Sequence, residues 1–305
     1  MIKKQEFILN SECDNLPLGV TIMIPDKKIK GIVQIAHGMA EHRKRYYHFM
    51  TYLAKNGYIT IINDHRGHGE SIRDSADLGY FYDETGECIT EDLHQITKYI
   101  KDRFRDYPVT LFGHSMGSLI VRNYLKKYDN EIDNLIVSGS PSENKGIKLG
   151  LCLVKKLISK RGVKERNSFI DNLTFGPYRK KFKSDGDNGW LSRDVNEVEK
   201  YNIDPLCGFS FTLNGFLNLF LLLLNTYDKT GYKVLNSNLR ILFIAGENDP
   251  VIVSQPDFNK AVLFLKNLGY SNIVSILYPL MRHEVLNETG KEKVYKDIME
   301  FIECV

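Results

Sequence analysis

The sequence predicts an α/β protein: a mostly parallel sheet flanked by helices, with a largely helical segment inserted late in the chain. Three features carry that reading. Runs of β-branched and apolar residues alternate with helix-length amphipathic stretches from Lys30 to Ser138 and again from Leu239 to Ile302, and helices of that length act as crossovers between parallel strands. From Pro141 to Asn236 the alternation stops, and the chain becomes rich in Lys, Asn and Gly. Finally, Val109-Thr110-Leu111-Phe112 breaks at Gly113, and a helical pattern (Met116, Leu119, Ile120, Tyr124) begins directly after Ser115, so strand passes into helix through a very tight turn. The chain therefore divides into a core of residues 1–140 and 237–305 and an insertion of residues 141–236.

Taken in order, Glu6 to Leu9 and Gly19 to Ile24 are short apolar runs separated by polar turns, the pattern of an antiparallel hairpin at a sheet edge. Lys30 to Ala36 is a stronger strand. It is followed by His37-Gly38-Met39-Ala40-Glu41-His42 and a helical pattern through Tyr47, Phe49, Met50, Leu53 and Ala54. Tyr58 to Asn63 is a buried-type strand, and the glycine-punctuated loop from Asp64 to Ser71 comes next. A helix from about Ile89 to Phe104 leads to the strand before Ser115, and Ile132 to Ser138 is another strand. The insertion holds two apolar helical stretches, Ile147 to Ile158 and Gly215 to Tyr227, joined by a polar middle with the sole tryptophan, Trp190. Strand Leu239 to Ala245, helix Pro256 to Leu268, strand Ile273 to Tyr278 and an amphipathic helix Lys291 to Ile302 complete the chain.

With 305 residues and 43% hydrophobic content, the chain can bury one large core. Its net charge of +3 comes from 41 basic and 38 acidic residues mixed along the chain, which gives no footprint for nucleic acid. Cys13, Cys88, Cys152, Cys207 and Cys304 are an odd, scattered set with no C-x-x-C pair, as expected of reduced thiols in a cytoplasm. The N-terminus lacks the apolar run of a secretory signal. Leu206 to Tyr227 is uncharged and long enough for the roughly 20 residues of a membrane span, but Ser210, Thr212, Asn214, Gly215, Asn218 and Asn225 interrupt it, so a buried segment of a soluble protein is expected.

The chemistry centres on Ser115. Gly113 and Gly117 flank it in a G-x-S-x-G pattern that lifts its hydroxyl clear of the backbone at a helix N-terminus, where unpaired N–H groups favour a developing negative charge. A serine hydroxyl is a weak nucleophile at neutral pH, so a histidine base and an orienting carboxylate are required. The loops after strands of a parallel sheet emerge at one edge, and two of them carry the candidates: Gly246-Glu247-Asn248-Asp249-Pro250 and Arg282-His283-Glu284. Asp249 is preferred to Glu247 because it follows the strand by a short turn stiffened by Pro250. His37 and His114 adjoin the site on turns, while His42, His48 and His94 read as helical surface or packing residues. The backbone N–H groups of Met116 and Met39 are the candidate oxyanion donors. His65 and His68 have a spacing that zinc accepts, but nothing nearby in the sequence completes a ligand set, so no metal is expected.

Together GHSMG at 113–117, HGMAEH at 37–42, DHRGHGES at 64–71, GENDPV at 246–251 and RHEVLNE at 282–288 resemble the monoacylglycerol lipase and lysophospholipase group of α/β-hydrolases, also described as serine aminopeptidase-like. The similarity runs over nearly the whole chain. It implies an α/β-hydrolase fold with a mostly parallel eight-stranded sheet, a helical cap after the sixth strand, and a serine esterase triad of Ser115, Asp249 and His283 that needs no cofactor. Trp190 to Asp194 and Asp204 to Thr212 also look like the family's cap sequence. Ser118 stands where many relatives carry glycine, and Met39 is bulkier than the small residue common there.

The insertion's Phe209, Phe211, Phe216 and Phe220 are the candidate walls for an acyl chain, and the run Arg179-Lys180-Lys181-Phe182-Lys183 is either a solvated face or a match for an anionic head. A small amphiphilic ester, a monoacylglycerol or lysophospholipid, is the expected substrate, with transient membrane-surface contact through the cap. Small soluble esters are the alternative, or aminoacyl amides if Asp185, Asp187 or Asp194 bind a free amine.

Overall fold

A computed structural model describes residues 1–303; Cys304 lies outside the described residues. Eight strands form one sheet in the order β1-β2-β4-β3-β5-β6-β7-β8. The hairpin of β1 (Lys3–Asn10) and β2 (Pro17–Ile24) is antiparallel, and β2 also pairs antiparallel with β4 (Tyr58–Asn63). From β4 through β3 (Gly31–Ala36), β5 (Val109–His114), β6 (Asn134–Ser138), β7 (Arg240–Gly246) and β8 (Ile273–Tyr278) every pairing is parallel. The chain therefore has the α/β-hydrolase architecture its sequence pattern implied.

Burial follows position in the sheet. β3, β4, β5 and β6 are buried along their whole length, as strands covered on both faces must be, whereas β1 and β8 at the edges alternate or open to solvent. One face packs against α1 (Tyr47–Lys55) and α9 (Lys291–Glu303) through Phe49, Leu53, Phe112, Ile244 and Ile298. The other packs against α2 (Cys88–Arg103), α3 (Met116–Tyr128) and α8 (Gln255–Leu268) through Leu93, Leu111, Leu119, Phe243 and Phe258.

Between β6 and β7 lie four helices: α4 (Ile147–Arg161), α5 (Ser168–Lys181), α6 (Val195–Ile203) and α7 (Leu213–Tyr227). α4 and α7 coincide with the two apolar stretches of the insertion. The polar middle is also helical, which apolar periodicity did not indicate: Asn167 caps α5 and Asp194 caps α6, each accepting a hydrogen bond from an early helix amide. None of the described helices is long and apolar enough to cross a membrane.

The four helices are held very unequally. α7 is fastened to the core by buried polar contacts: Thr212 Oγ1 donates to Gly79 O (2.9 Å), Asn214 Nδ2 to Asp83 O (2.6 Å), Phe81 N–H to Asn214 Oδ1 (2.9 Å), and Asn218 Nδ2 to Asp83 O (2.8 Å). α4 and α5 each bury a single residue completely, Val154 and Ile170. Leu149, Phe169 and Leu173 on these helices are exposed.

Replacing Asn214 by alanine strands the Phe81 amide in the interior, and an unpaired buried donor costs about 1–3 kcal/mol. Urea unfolding should show that loss for Asn214→Ala, while Lys156→Ala on exposed α4 should stay within about 0.5 kcal/mol of the parent.

Candidate active site

Ser115 stands between β5 and α3 with φ 53° and ψ −117°, a conformation that L side chains rarely adopt. Close packing holds it there. A Cβ on Gly117 would sit 2.1 Å from Ala36 O and 2.5 Å from His37 O, so only glycine lets the first turn of α3 lie against the end of β3. The same contact brings Gly38 beside Ser115, its Cβ position falling 3.4 Å from Ser115 Cβ.

The loop after β3 is fixed by side chains that use the backbone donors around Met39. Gly38 N–H donates to Glu41 Oε1 (2.6 Å) and Ala40 N–H to His68 Nε2 (3.2 Å). The amides of Met39 and Met116 have no protein acceptor among the described residues. His37 Nδ1 donates to Gly38 O (2.8 Å) while its Nε2 accepts from the His65 amide (2.9 Å), which fixes a neutral tautomer; burial holds its pKa well below the ordinary histidine value. His68 is likewise committed, with Nδ1 donating to Arg66 O, and burial brings it to about 4. The His68 ring and the His65 amide thus serve the loop, while both ring nitrogens of His65 are buried with no partner among the described residues. The described residues with metal-ligand spacing are instead His42, Asp204 and Cys207.

The other two candidates converge as the parallel sheet requires. A Cβ on Gly246 would lie 2.2 Å from both Met281 O and Arg282 O, so the turn after β7 runs in backbone contact with the loop after β8. His283 Nδ1 donates to the Asp249 carboxylate, at 2.9 Å and 3.0 Å to its two oxygens. Asp249 and His283 are both buried, whereas Glu247 points into solvent. Burial opposes the imidazolium, yet the Asp249 charge prevails and raises the His283 pKa above the ordinary histidine value.

A buried cation joins these loops to each other and to the insertion. Arg45 donates to Glu41 Oε2 (2.5 Å) and to both oxygens of Glu284 (2.7 Å each), and its guanidinium lies 4.9 Å from the centre of the Tyr201 ring. Burial pushes the Glu41 carboxyl up; it acts likewise on Glu284, but the paired bonds from Arg45 hold that group at about 2. Tyr201 Oη donates to Ala40 O (3.0 Å), and His42 Nε2 bonds Asp204 Oδ2 (2.8 Å). His42 is therefore a buried tie between core and insertion and not a helical packing residue. Its partner is 162 positions away, a separation that local pattern does not register. On the catalytic side, Trp190 O accepts from the His283 amide (3.4 Å) and Leu191 O from the Glu284 amide (2.8 Å).

Ser115, Met39, Met116 and His283 line one cavity of about 480 Å³ that continues between α4, α5 and α7. Phe209 and Phe220 are on its wall. Phe211 and Phe216 are not: both are fully buried, Phe211 against His68 and Phe81, Phe216 against Phe211 and Phe220. Apolarity identified the cluster, but not which rings turn inward. The cavity also takes in Trp190 and Arg179, both marked in the sequence, together with Tyr178, Asn188 and Asp171, which carry no such signal; Asp171 pairs with Arg179 (2.6 Å).

Comparison with known proteins gives the family. A model described as serine aminopeptidase, S33, matches residues 27–290. The chain belongs to this family. A monoacylglycerol lipase of Mycolicibacterium smegmatis is 25% identical over 92% of this chain and 91% of its own length, and a monoglyceride lipase homolog of Monkeypox virus is 28% identical over 90% and 88%. Among solved structures, a highly thermostable carboxyl esterase from Bacillus coagulans, in complex with glycerol, superposes with a TM-score of 0.91 at 26% identity, covering 98% of this chain and 97% of that one.

Arg45→Met leaves two buried carboxylates without their cation, and loss of one member of a buried pair costs about 3–5 kcal/mol. A fall of that size in unfolding free energy, measured by denaturant titration, is expected.

Proposed function

We propose that this carboxylic ester hydrolase cleaves monoacylglycerols, or closely related single-chain lipid esters, through an acyl-enzyme on Ser115. The carrying observation is that Ser115 and His283, the latter held by buried Asp249, line one cavity whose wall includes Leu153, Leu219, Phe220 and Leu223. The names of the full-length relatives support the lipid substrate, and Leu149, Phe169 and Leu173, exposed beside basic residues of α4 and α5, suit brief contact with a lipid surface. The four cysteines among the described residues are free thiols, which fits a cytoplasmic setting.

In this reading His283 takes the Ser115 proton on Nε2, since Nδ1 is engaged by Asp249, and the serine oxygen attacks the ester carbonyl. The tetrahedral oxyanion is held by the Met39 and Met116 amides, each such donor contributing about 3 kcal/mol. His283 returns the proton to the leaving alcohol. A water activated by the same nitrogen then attacks the acyl-enzyme, and release of the acid regenerates Ser115, so no cofactor enters.

Ester substrates suit the cavity better than aminoacyl amides, because a free amine needs an unpaired carboxylate near the reacting carbonyl. Asp185 pairs with Arg282, Asp194 caps α6, and neither they nor Asp187 line the cavity. Asp171, Glu41 and Glu284 do, but Asp171 pairs with Arg179 and the two glutamates share Arg45.

Ser115→Ala should abolish both turnover of monoacylglycerol and labelling by a fluorophosphonate; retained turnover refutes the nucleophile. The pH profile of kcat/KM supplies a second check. The base must be neutral, and its pKa is raised, so activity should rise with pH through a midpoint above the usual value of about 6.5. In Asp249→Asn burial is opposed only by the weaker pull of Glu284 and Glu41, so the midpoint should move down, and kcat should fall by about 10⁴.

A further inference from the structure

The cavity has two unlike halves, and the reaction assigns them. Trp190 lies 5.1 Å from the His283 ring and Tyr178 5.5 Å from Trp190, ring centre to ring centre, and the Asp171–Arg179 pair and Asn188 line the same polar wall. Because His283 hands its proton to the departing alcohol, the alcohol belongs on this side. The acyl chain is left the other side, floored by Leu119, one turn beyond Met116 on α3, and walled by Leu219, Phe220 and Leu223 of α7 and by Leu153 of α4.

Gly150 stands where α4 meets α7 over that chamber. It is a helical glycine outside the left-handed region, so no backbone requirement explains it, and glycine weakens a helix interior relative to alanine. What explains it is space: a Cβ there would sit 3.2 Å from Cε2 of Phe220, and the nearest atoms all belong to that ring. Any larger side chain must occupy the gap or drive the Phe220 ring toward the chamber.

Resting on the acyl-enzyme reading above, we propose that Gly150 sets the length of acyl chain the enzyme accepts, by keeping the α4–α7 seam open over the apolar half of the cavity. The seam belongs to a helix that buries only Val154 completely, so its packing can change with little effect on the core.

The test is kcat/KM across acetyl, butanoyl, octanoyl, dodecanoyl and palmitoyl p-nitrophenyl esters, with fluorophosphonate labelling in parallel. Each methylene denied its apolar contact costs about fourfold. Gly150→Leu should therefore lower the dodecanoyl-to-butanoyl ratio at least tenfold, and Leu153→Ala, which deepens the chamber, should raise the palmitoyl-to-butanoyl ratio. A Gly150→Leu protein that melts like the parent and keeps the parent ratio overturns the proposal. If that variant fails to fold, Leu153→Ala decides, and an unchanged preference there overturns it. Ester turnover that survives Ser115→Ala would instead sink the acyl-enzyme reading, and this inference with it.

Discussion

The contact between the first turn of α3 and the end of β3 is the constraint on which the geometry of the candidate site depends. With hydrogen at position 117, the carbonyl oxygens of Ala36 and His37 approach the helix closely enough that strand, Ser115 and following loop form one rigid corner. The positive φ at Ser115 is tolerated because this corner overdetermines it. A methyl group at 117 would separate α3 from β3, and the loop bearing Met39 would move with the strand. The geometry around the hydroxyl is thus a property of backbone packing, with the serine side chain carried by it.

A second layer of organisation is electrostatic. Arg45 is shared by Glu41, which holds the loop after β3, and Glu284, which follows the catalytic-candidate histidine. Burying one cation between two carboxylates is costly unless every group is satisfied, and here Tyr46 and the Gly38 amide complete Glu41 while Asn287 completes Glu284. The result is that two loops far apart in sequence cannot shift independently. Tyr201, stacked on the same guanidinium, extends the coupling to the insertion.

Much of this was legible in the sequence, for identifiable reasons. Apolar runs broken by glycine or proline mark the strands, and a parallel sheet obliges the loops that follow them to share one edge, so the sequence alone groups Ser115, Asp249 and His283. What was hidden depended on contacts without local period. α5 and α6 are polar and capped, and α5 even contains Pro177, so they carry no apolar stripe. Phe211 and Phe216 differ from Phe209 and Phe220 only in which way the chain turns them. The His42–Asp204 tie joins distant segments through side chains that are individually unremarkable.

The unequal fastening of the insertion has a consequence for how such a protein diversifies. α7 is bound into the core by Thr212, Asn214 and Asn218, so replacements there are filtered by folding. α4 and α5 face the same chamber and bury completely only Val154 and Ile170, so their exposed positions can change with less penalty to folding than those of α7. Selection for a new ester would find most of its raw material on those two helices, with the hydrolytic machinery untouched.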